Sequence, residues 1–285
     1  MATLNSHKLG PPFESRALRS RPREAGQRPA RWLALTLQLV LFALVGAAVA
    51  PAPEAFAESP TERVARIYAE SQARFRRETN NSGAAWEFGR ACFDLADLAT
   101  NNTQRAELAQ QGIEACRLAV ARDPKSAAAH YYLGLNLGQW AQAKKFSALP
   151  TLGEMESAWK TAIAIDPKYD FAGAHHSLGL MYRDAPGWPI SLGNRDKARF
   201  HLQKAVELSP EYPSNQLNWL ETLLAWGDKK AVQAKIPSVE AVLSAARHKL
   251  TGDEWVLAWQ DWDSRWQRIK AKANAQSLKS PREKG

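Results

Sequence analysis

From residue 59 onward, apolar positions recur at intervals of three and four, and no stretch alternates apolar with polar residues as a half-buried strand does. The first stripe is Val64, Ile67, Tyr68, Ser71 and Phe75, one face of an amphipathic helix. Ser59-Pro60-Thr61-Glu62 precedes it. Ser59 can cap the first turn, Pro60 suits the first helical position, and Glu62 can return a hydrogen bond to the cap backbone. Asn80-Asn81-Ser82-Gly83 closes the segment. The spacing predicts an all-α chain.

The helical stripes then repeat. Asp123-Pro124 follows Cys116-x-x-Ala119-Val120, Asp166-Pro167 follows Trp159-x-x-Ala162-Ile163, and Ser209-Pro210 follows Leu202-x-x-Ala205-Val206. The three prolines are 43 residues apart. Each should end a helix, because the residue before proline is driven out of the α region. A small residue follows at a fixed place, in Tyr132-Leu133-Gly134 and again in Ser177-Leu178-Gly179, where a missing Cβ lets two helices approach. Self-similarity at this length predicts stacked helix pairs sharing a continuous core.

The pattern small-x-x-Leu-Gly-x-x-aromatic, then Ala-x-x-x-Leu-x-x-Ala, then Pro resembles the tetratricopeptide repeat. Its best copy is His175-x-x-Leu178-Gly179-x-x-Tyr182, Ala198-x-x-x-Leu202-x-x-Ala205, Pro210. A copy ending in Trp226-Gly227-Asp228 follows, and the earliest, around Phe88-Gly89-x-x-Cys92, matches least. Measured from glycine to proline, the first three copies exceed the family spacing by eleven, nine and seven residues. Longer helices or larger turns would both accommodate them. This long-turn variant is similar to two groups: the exported accessory subunit (T-component) of TRAP-type solute transporters, and the regulator-of-microtubule-dynamics family. The resemblance covers roughly residues 84–235.

In that family the first helix of each pair lines a concave binding face. The resemblance puts Trp86, Arg90, Phe93 and Asp94 there from the first pair, and Tyr131, Leu135 and Gln139 from the second. His176, Leu180, Arg183 and Asp184 come from the third, and Leu217, Glu221 and Leu224 from the fourth. Trp86, Tyr131 and His176 would share one position and form a ladder of rings. Such a face suits a peptide segment or a small apolar or amphiphilic ligand, an organic acid among them. An ordinary solvated surface is the plain alternative. Cys92 and Cys116 fall on facing positions of the first pair, where they are either disulfide-bonded or two small buried apolar groups.

The enlarged turn Asp184-Ala185-Pro186-Gly187-Trp188-Pro189-Ile190-Ser191-Leu192-Gly193 is apolar enough that it should fold back on the helices. It either pads a widened pair or, through Trp188 beside Arg183 and Asp184, walls a pocket. Near the C-terminus, Trp255, Trp259, Trp262 and Trp266 lie on one face of a final helix over 253–273. That helix should cover the exposed end of the last pair; a membrane-interface surface is the alternative. Residues 274–285 read as a disordered basic tail.

The first 57 residues are of another kind. Six arginines, Arg16 to Arg31, precede an 18-residue uncharged run from Trp32 to Val49, and Ala55-Phe56-Ala57 forms a small-x-small cleavage site. We expect export, to the periplasm, with cleavage after Ala57; the alternative is an anchor through residues 32–49. Removing this segment lowers the net charge from +9 to +5, without a dense basic block, so nucleic acid is not an expected partner. No nucleophile elbow, phosphate-cradling loop, His-Glu-x-x-His or Cys-x-x-Cys appears. Adjacent His175 and His176 point about 100° apart on a helix and are poorly placed to share a metal. The expectation is therefore a non-enzymatic scaffold of about four helix pairs, residues 58–273, without cofactor or metal. It would bind a protein partner in the cell envelope, either alone or as a homo-oligomer.

Overall fold

In the computed structural model of the chain, the described residues are 58–144, 150–187 and 190–278. The first 57 residues, with the expected export signal, lie outside them, as do residues 145–149, Trp188-Pro189 and residues 279–285. The described elements are helices in sequence: α1 Pro60–Arg77, α2 Ser82–Asp97, α3 Asn102–Arg122, α4 Ala127–Lys144 and α5 Thr151–Ile165. Then come α6 Tyr169–Asp184, α7 Arg195–Leu208, α8 Pro213–Ala225, α9 Lys229–Arg247, a 3-10 turn Asp253–Trp255, and α10 Val256–Leu278.

Four pairs, α2/α3, α4/α5, α6/α7 and α8/α9, stack in order. Their first helices touch one another in succession, so α2, α4, α6 and α8 form an inner layer, and α10 packs on α8 as the next member. Asp123, Asp166 and Ser209 are the C-caps of α3, α5 and α7, so each helix stops at the residue before proline, as the spacing predicts. Ser59 and Glu62 form the expected capping box on α1. That helix buries no residue fully; it lays Tyr68 and Phe75 on Phe88 of α2, with ring centroids 5.6 and 5.3 Å apart.

The repeat glycines set the spacing within each pair. A Cβ on Gly89 would lie 2.2 Å from Cys116 Sγ, one on Gly134 would lie 2.3 Å from Trp159 Nε1, and one on Gly179 would lie 2.6 Å from Leu202 Cγ. Trp159 cannot yield easily, because Nε1 donates to the Tyr131 carbonyl at 3.2 Å. The extra residues are distributed unevenly around this fixed contact. In the first pair they lengthen the helices, α2 to 16 residues and α3 to 21. In the third they fall in the long connection between α6 and α7.

That connection closes on its own backbone. Gly193 N donates to the Pro186 carbonyl at 2.8 Å, and Asn194 N to the Tyr182 carbonyl at 2.8 Å. A Cβ on Gly193 would meet the Ala185 carbonyl at 2.1 Å, so glycine is required there. Ala185 and Leu192 pack on the core, but Ile190 stays 69% exposed, contrary to the expected fold-back of the whole loop. Backbone closure fixes the turn, so burying Ile190 is not needed to hold it.

The C-terminal helix caps the array. Trp255, Trp262 and Trp266 are buried, and Trp262 meets Tyr212 edge-on at 5.6 Å. The helix continues past Ala273 to Leu278, so residues 274–278 are helical rather than disordered. Cys92 and Cys116 are free thiols with no measurable exposure. Burial pushes both thiols well above their usual range, as suits small apolar groups filling the α2/α3 contact.

Adding a Cβ where Trp159 is pinned should cost about 1–3 kcal/mol. Gly134→Ala should therefore lower the thermal midpoint by several degrees in a circular-dichroism melt. Gly138→Ala, whose Cβ would meet Met155 only at 3.5 Å, should leave it nearly unchanged.

Candidate functional site

The third pair holds two residues more than its neighbour between proline and glycine: Pro167 to Gly179 spans 12 positions where Pro124 to Gly134 spans 10. The structure takes up the excess in a left-handed turn at the start of α6. Asp170, Phe171 and Ala172 have φ of 49°, 56° and 60°. None is glycine, and each such residue costs about 1–2 kcal/mol. Local strain of this kind persists only when the surroundings over-determine it.

Two sets of contacts do so here. Ala172 is fully buried, and Phe171 stacks on Tyr212 with centroids 4.2 Å apart and planes 7° from parallel. Asn215 on α8 donates from Nδ2 to the Phe171 carbonyl at 2.9 Å and to the Ala205 carbonyl at 3.1 Å. Its Oδ1 is thus the acceptor, which fixes the proton of His176 on Nδ1, 3.0 Å away. His176 Nε2 then accepts from Asn218 Nδ2 at 2.6 Å, and Asn218 Oδ1 accepts from Arg265. Arg265, on α10, also clamps both oxygens of Glu221 at 3.0 and 2.8 Å. Burial pushes His176 down to about 4, so it stays neutral.

The turn swings Tyr169 and Asp170 over the inner layer, and a second cluster forms there. Tyr169 meets Tyr131 edge-on at 5.7 Å, Tyr131 meets Tyr132 at 5.1 Å, and Tyr132 stacks on Trp86 at 5.9 Å. Arg90 on α2 approaches Asp94 at 3.6 Å and also acts electrostatically on Asp170, Tyr132 and Tyr169. Burial pushes both Asp94 and Asp170 up to about 6, against the pull of Arg90; Asp97 raises Asp94 further, and Asp94 raises Asp170. Gln139 on α4 donates to Asp97 at 3.3 Å.

The residues expected on one continuous face thus divide between two environments. Trp86, Arg90, Asp94, Tyr131 and Gln139 come together between α2, α4 and α6, with Tyr132, Tyr169 and Asp170 beside them. His176 and Glu221 belong to the buried chain from Arg265. Arg183 and Asp184 pair with each other at 2.6 and 2.7 Å, and Arg183 also donates to Thr222 at 3.1 Å. The ring ladder is not an open surface, because Tyr131 is 0% and His176 2% exposed. The left-handed turn covers the first, and α8 covers the second. Gln139, at 4%, is covered too, whereas Trp86, Arg90 and Asp94 are half-buried. Trp188 lies outside the described residues. The repeat pattern does not single out Tyr169 and Asp170; the two-residue excess is the signal that points to them. Among the described residues, no group of His, Cys, Asp or Glu has the arrangement of a metal site.

The fold is that of a tetratricopeptide-repeat protein. It overlays on the crystal structure of a thermophilic TPR protein in Thermus thermophilus with a TM-score of 0.52 at 18% sequence identity, covering 74% of this chain and 97% of that one. The family model for regulator of microtubule dynamics protein 1-3 matches residues 53–183, a span that holds α1 to α5, nearly all of α6 and the whole inner-layer cluster. Comparison with curated proteins gives no match.

Asn215→Ala leaves the Phe171 and Ala205 carbonyls and His176 without their partner, so it should cost about 3 kcal/mol, read as a lower denaturant midpoint. The carboxylates of the second cluster give a pH signature. A carboxyl with a raised folded pKa binds its proton more tightly in the fold. Asp94 and Asp170 should therefore stabilise the protein below about pH 4 and lose that contribution as pH rises to about 6. His176 acts in the opposite sense, since its depressed folded pKa makes stability fall as pH drops from about 6.5 towards 4. Midpoints measured across this range for wild type and Asp94→Asn/Asp170→Asn should differ in slope between pH 4 and 6, the variant lacking the loss on the alkaline side.

Proposed function

We propose that the chain is an interaction scaffold that holds a polypeptide segment along the inner layer of its first three pairs. One observation carries this reading. Trp86, Arg90, Asp94 and Asp170 are half-buried on α2 and at the start of α6, so each keeps part of its surface open to a partner, whereas Tyr131, Gln139 and His176 of the same layer are buried. A mixed aromatic and charged strip on a rigid helical layer suits an extended peptide. Strained backbone beside the strip supports the reading, since such strain gathers where a binding geometry is held in place.

The proposed setting is the cell envelope, reached through the Arg-rich start and apolar run of residues 1–57, with the transporter-accessory role as its most specific form. Resemblance to the regulator-of-microtubule-dynamics model concerns the same helices and leaves the scaffold reading intact whichever partner is held. A small-molecule reading has its own support. An apolar slot of about 250 Å³ lies between Phe171, Tyr212, Val242, Ala246 and Leu250, large enough for a short acyl chain or a compact amphiphile.

Capture from extracts of the source cells with wild type and with Trp86→Ala/Arg90→Ala tests the scaffold. A partner retained by wild type and lost by the folded variant is expected; equal retention would count against the strip. Sequencing the N-terminus of the protein from cells should read from Glu58 if the segment is cleaved. A ligand seen in native mass spectra, and released by Val242→Trp, would favour the slot instead.

A further inference from the structure

Two cations of α7 rest on a ring instead of a carboxylate. Arg195 and Arg199 lie one turn apart on that helix, on the same face. Their guanidinium carbons are 4.6 and 5.0 Å from the ring centroid of Trp226, and that of Arg199 is also 5.7 Å from the centroid of Trp219. Among the described residues, neither guanidinium forms a hydrogen bond or an ion pair. Contact with an indole occupies one face of the planar group and leaves its N–H edge unused. Two like charges gathered on one ring also repel each other, so what this place lacks is an anion.

The platform beneath them is held firmly. Trp226 is the C-cap of α8, packs against both main core clusters, and meets Trp219 edge-on at 6.1 Å. Its turn is closed by Gly227 N donating to the Leu224 carbonyl at 3.1 Å and Asp228 N to the Leu223 carbonyl at 3.0 Å. The acidic residues of the two adjoining turns are committed elsewhere. Asp184 pairs with Arg183, and Asp228 Oδ1 accepts from the Ala231 backbone at 3.1 Å to cap α9. Asp196 follows Arg195 but points about 100° away round the helix. Lys229 and Lys230, both exposed at the start of α9, add to the positive charge of this edge.

We infer that this edge of the third and fourth pairs binds a carboxylate side chain of a partner polypeptide between Arg195 and Arg199. Planar guanidinium forks match the two oxygens of a carboxylate, and an anion set between them relieves their mutual repulsion. Ile190, 69% exposed on the connection that leads into α7, offers an apolar contact to a residue beside the acidic one, which a bare inorganic anion would not use. The contact is separate from the aromatic strip on α2, since α7 belongs to the outer layer, and it goes beyond the scaffold reading by adding a second point of attachment.

Calorimetric titration of the full chain tests it with three probes: N-acetyl-Gly-Glu-Leu-Glu-Gly-amide, its Lys counterpart, and inorganic phosphate. Saturable binding of the Glu peptide and none of the Lys peptide is expected, with the Glu affinity falling about tenfold or more in Arg195→Gln/Arg199→Gln. Arg195→Lys/Arg199→Lys keeps the charge but loses the stacked fork, so it should weaken the Glu peptide several-fold. Lys125→Gln/Lys168→Gln removes the same charge from the opposite edge and should leave the affinity unchanged, as should Trp86→Ala/Arg90→Ala on the strip. No binding of the Glu peptide, an affinity unchanged in the Arg195→Gln/Arg199→Gln protein, or an equal loss in Lys125→Gln/Lys168→Gln overturns the inference. Full affinity in the Lys-for-Arg variant also overturns it, because net charge alone would then account for binding. Phosphate binding tighter than the Glu peptide, lost in the same arginine variants, would overturn the carboxylate partner.

Discussion

Close approach of two helices at Gly89, Gly134 and Gly179 is the constraint to which the rest of the array is fitted. A helix pair in contact at one backbone position has fixed separation there and free length on either side. That is why eleven, nine and seven extra residues can be absorbed by different means without disturbing the core. The first pair takes them up in longer helices, the third in a connection closed by Gly193 and Asn194. The contact is rigid because its outer partner is itself held: Trp159 by the Tyr131 carbonyl, and Cys116 by complete burial. Interiors packed at this density transmit misfit rather than absorb it. Variation is therefore pushed out to the turns.

One misfit is not pushed out. The two residues added before α6 fall on the inner side, where the next first helix must dock, and they are accommodated by three left-handed residues. Their strain is offset by contacts that come from far along the chain. Asn215 holds the Phe171 carbonyl across 44 positions, and Arg265 reaches Asn218 across 47. The hydrogen bonds run in one sense, from Arg265 through Asn218, His176 and Asn215 to the turn. Each side chain's second atom is committed by the first. Reversing the Asn215 amide would leave donor facing donor at the imidazole, and reversing Asn218 would do so at Arg265, so the whole chain holds one orientation.

This dependence on distant partners explains what is legible in the sequence and what is not. The period, the proline stops and the capping role of the Trp-rich helix follow from local spacing, and they appear as expected. So does the approach at Gly134. His176 reads as part of an open ring ladder because it shares a repeat position with Trp86. Its burial depends on α8 and α10, which no pattern within its own repeat encodes. Tyr169 and Asp170 leave a trace only as a count, 12 positions against 10. A count reveals an insertion but not its handedness. The cysteines are ambiguous in sequence for a different reason: facing positions permit a disulfide, and permission is also what two small buried groups require.

The enlarged apolar turn before α7 is the most distinctive stretch of the sequence, and its described part has a structural account. Its backbone closes on itself through Pro186, Gly187 and Gly193, and its polar neighbours Arg183 and Asp184 satisfy each other. A pair of opposite charges already in bidentate contact has little left to offer a ligand without first being separated. The inner-layer cluster is the reverse case. There Arg90 acts on both Asp94 and Asp170, its Nε is buried without an acceptor, and the Gln139 amide oxygen is buried without a donor. Where a fold has satisfied its polar groups, they specify the fold. Where it has buried a donor and an acceptor that do not meet, the fold has left them unused.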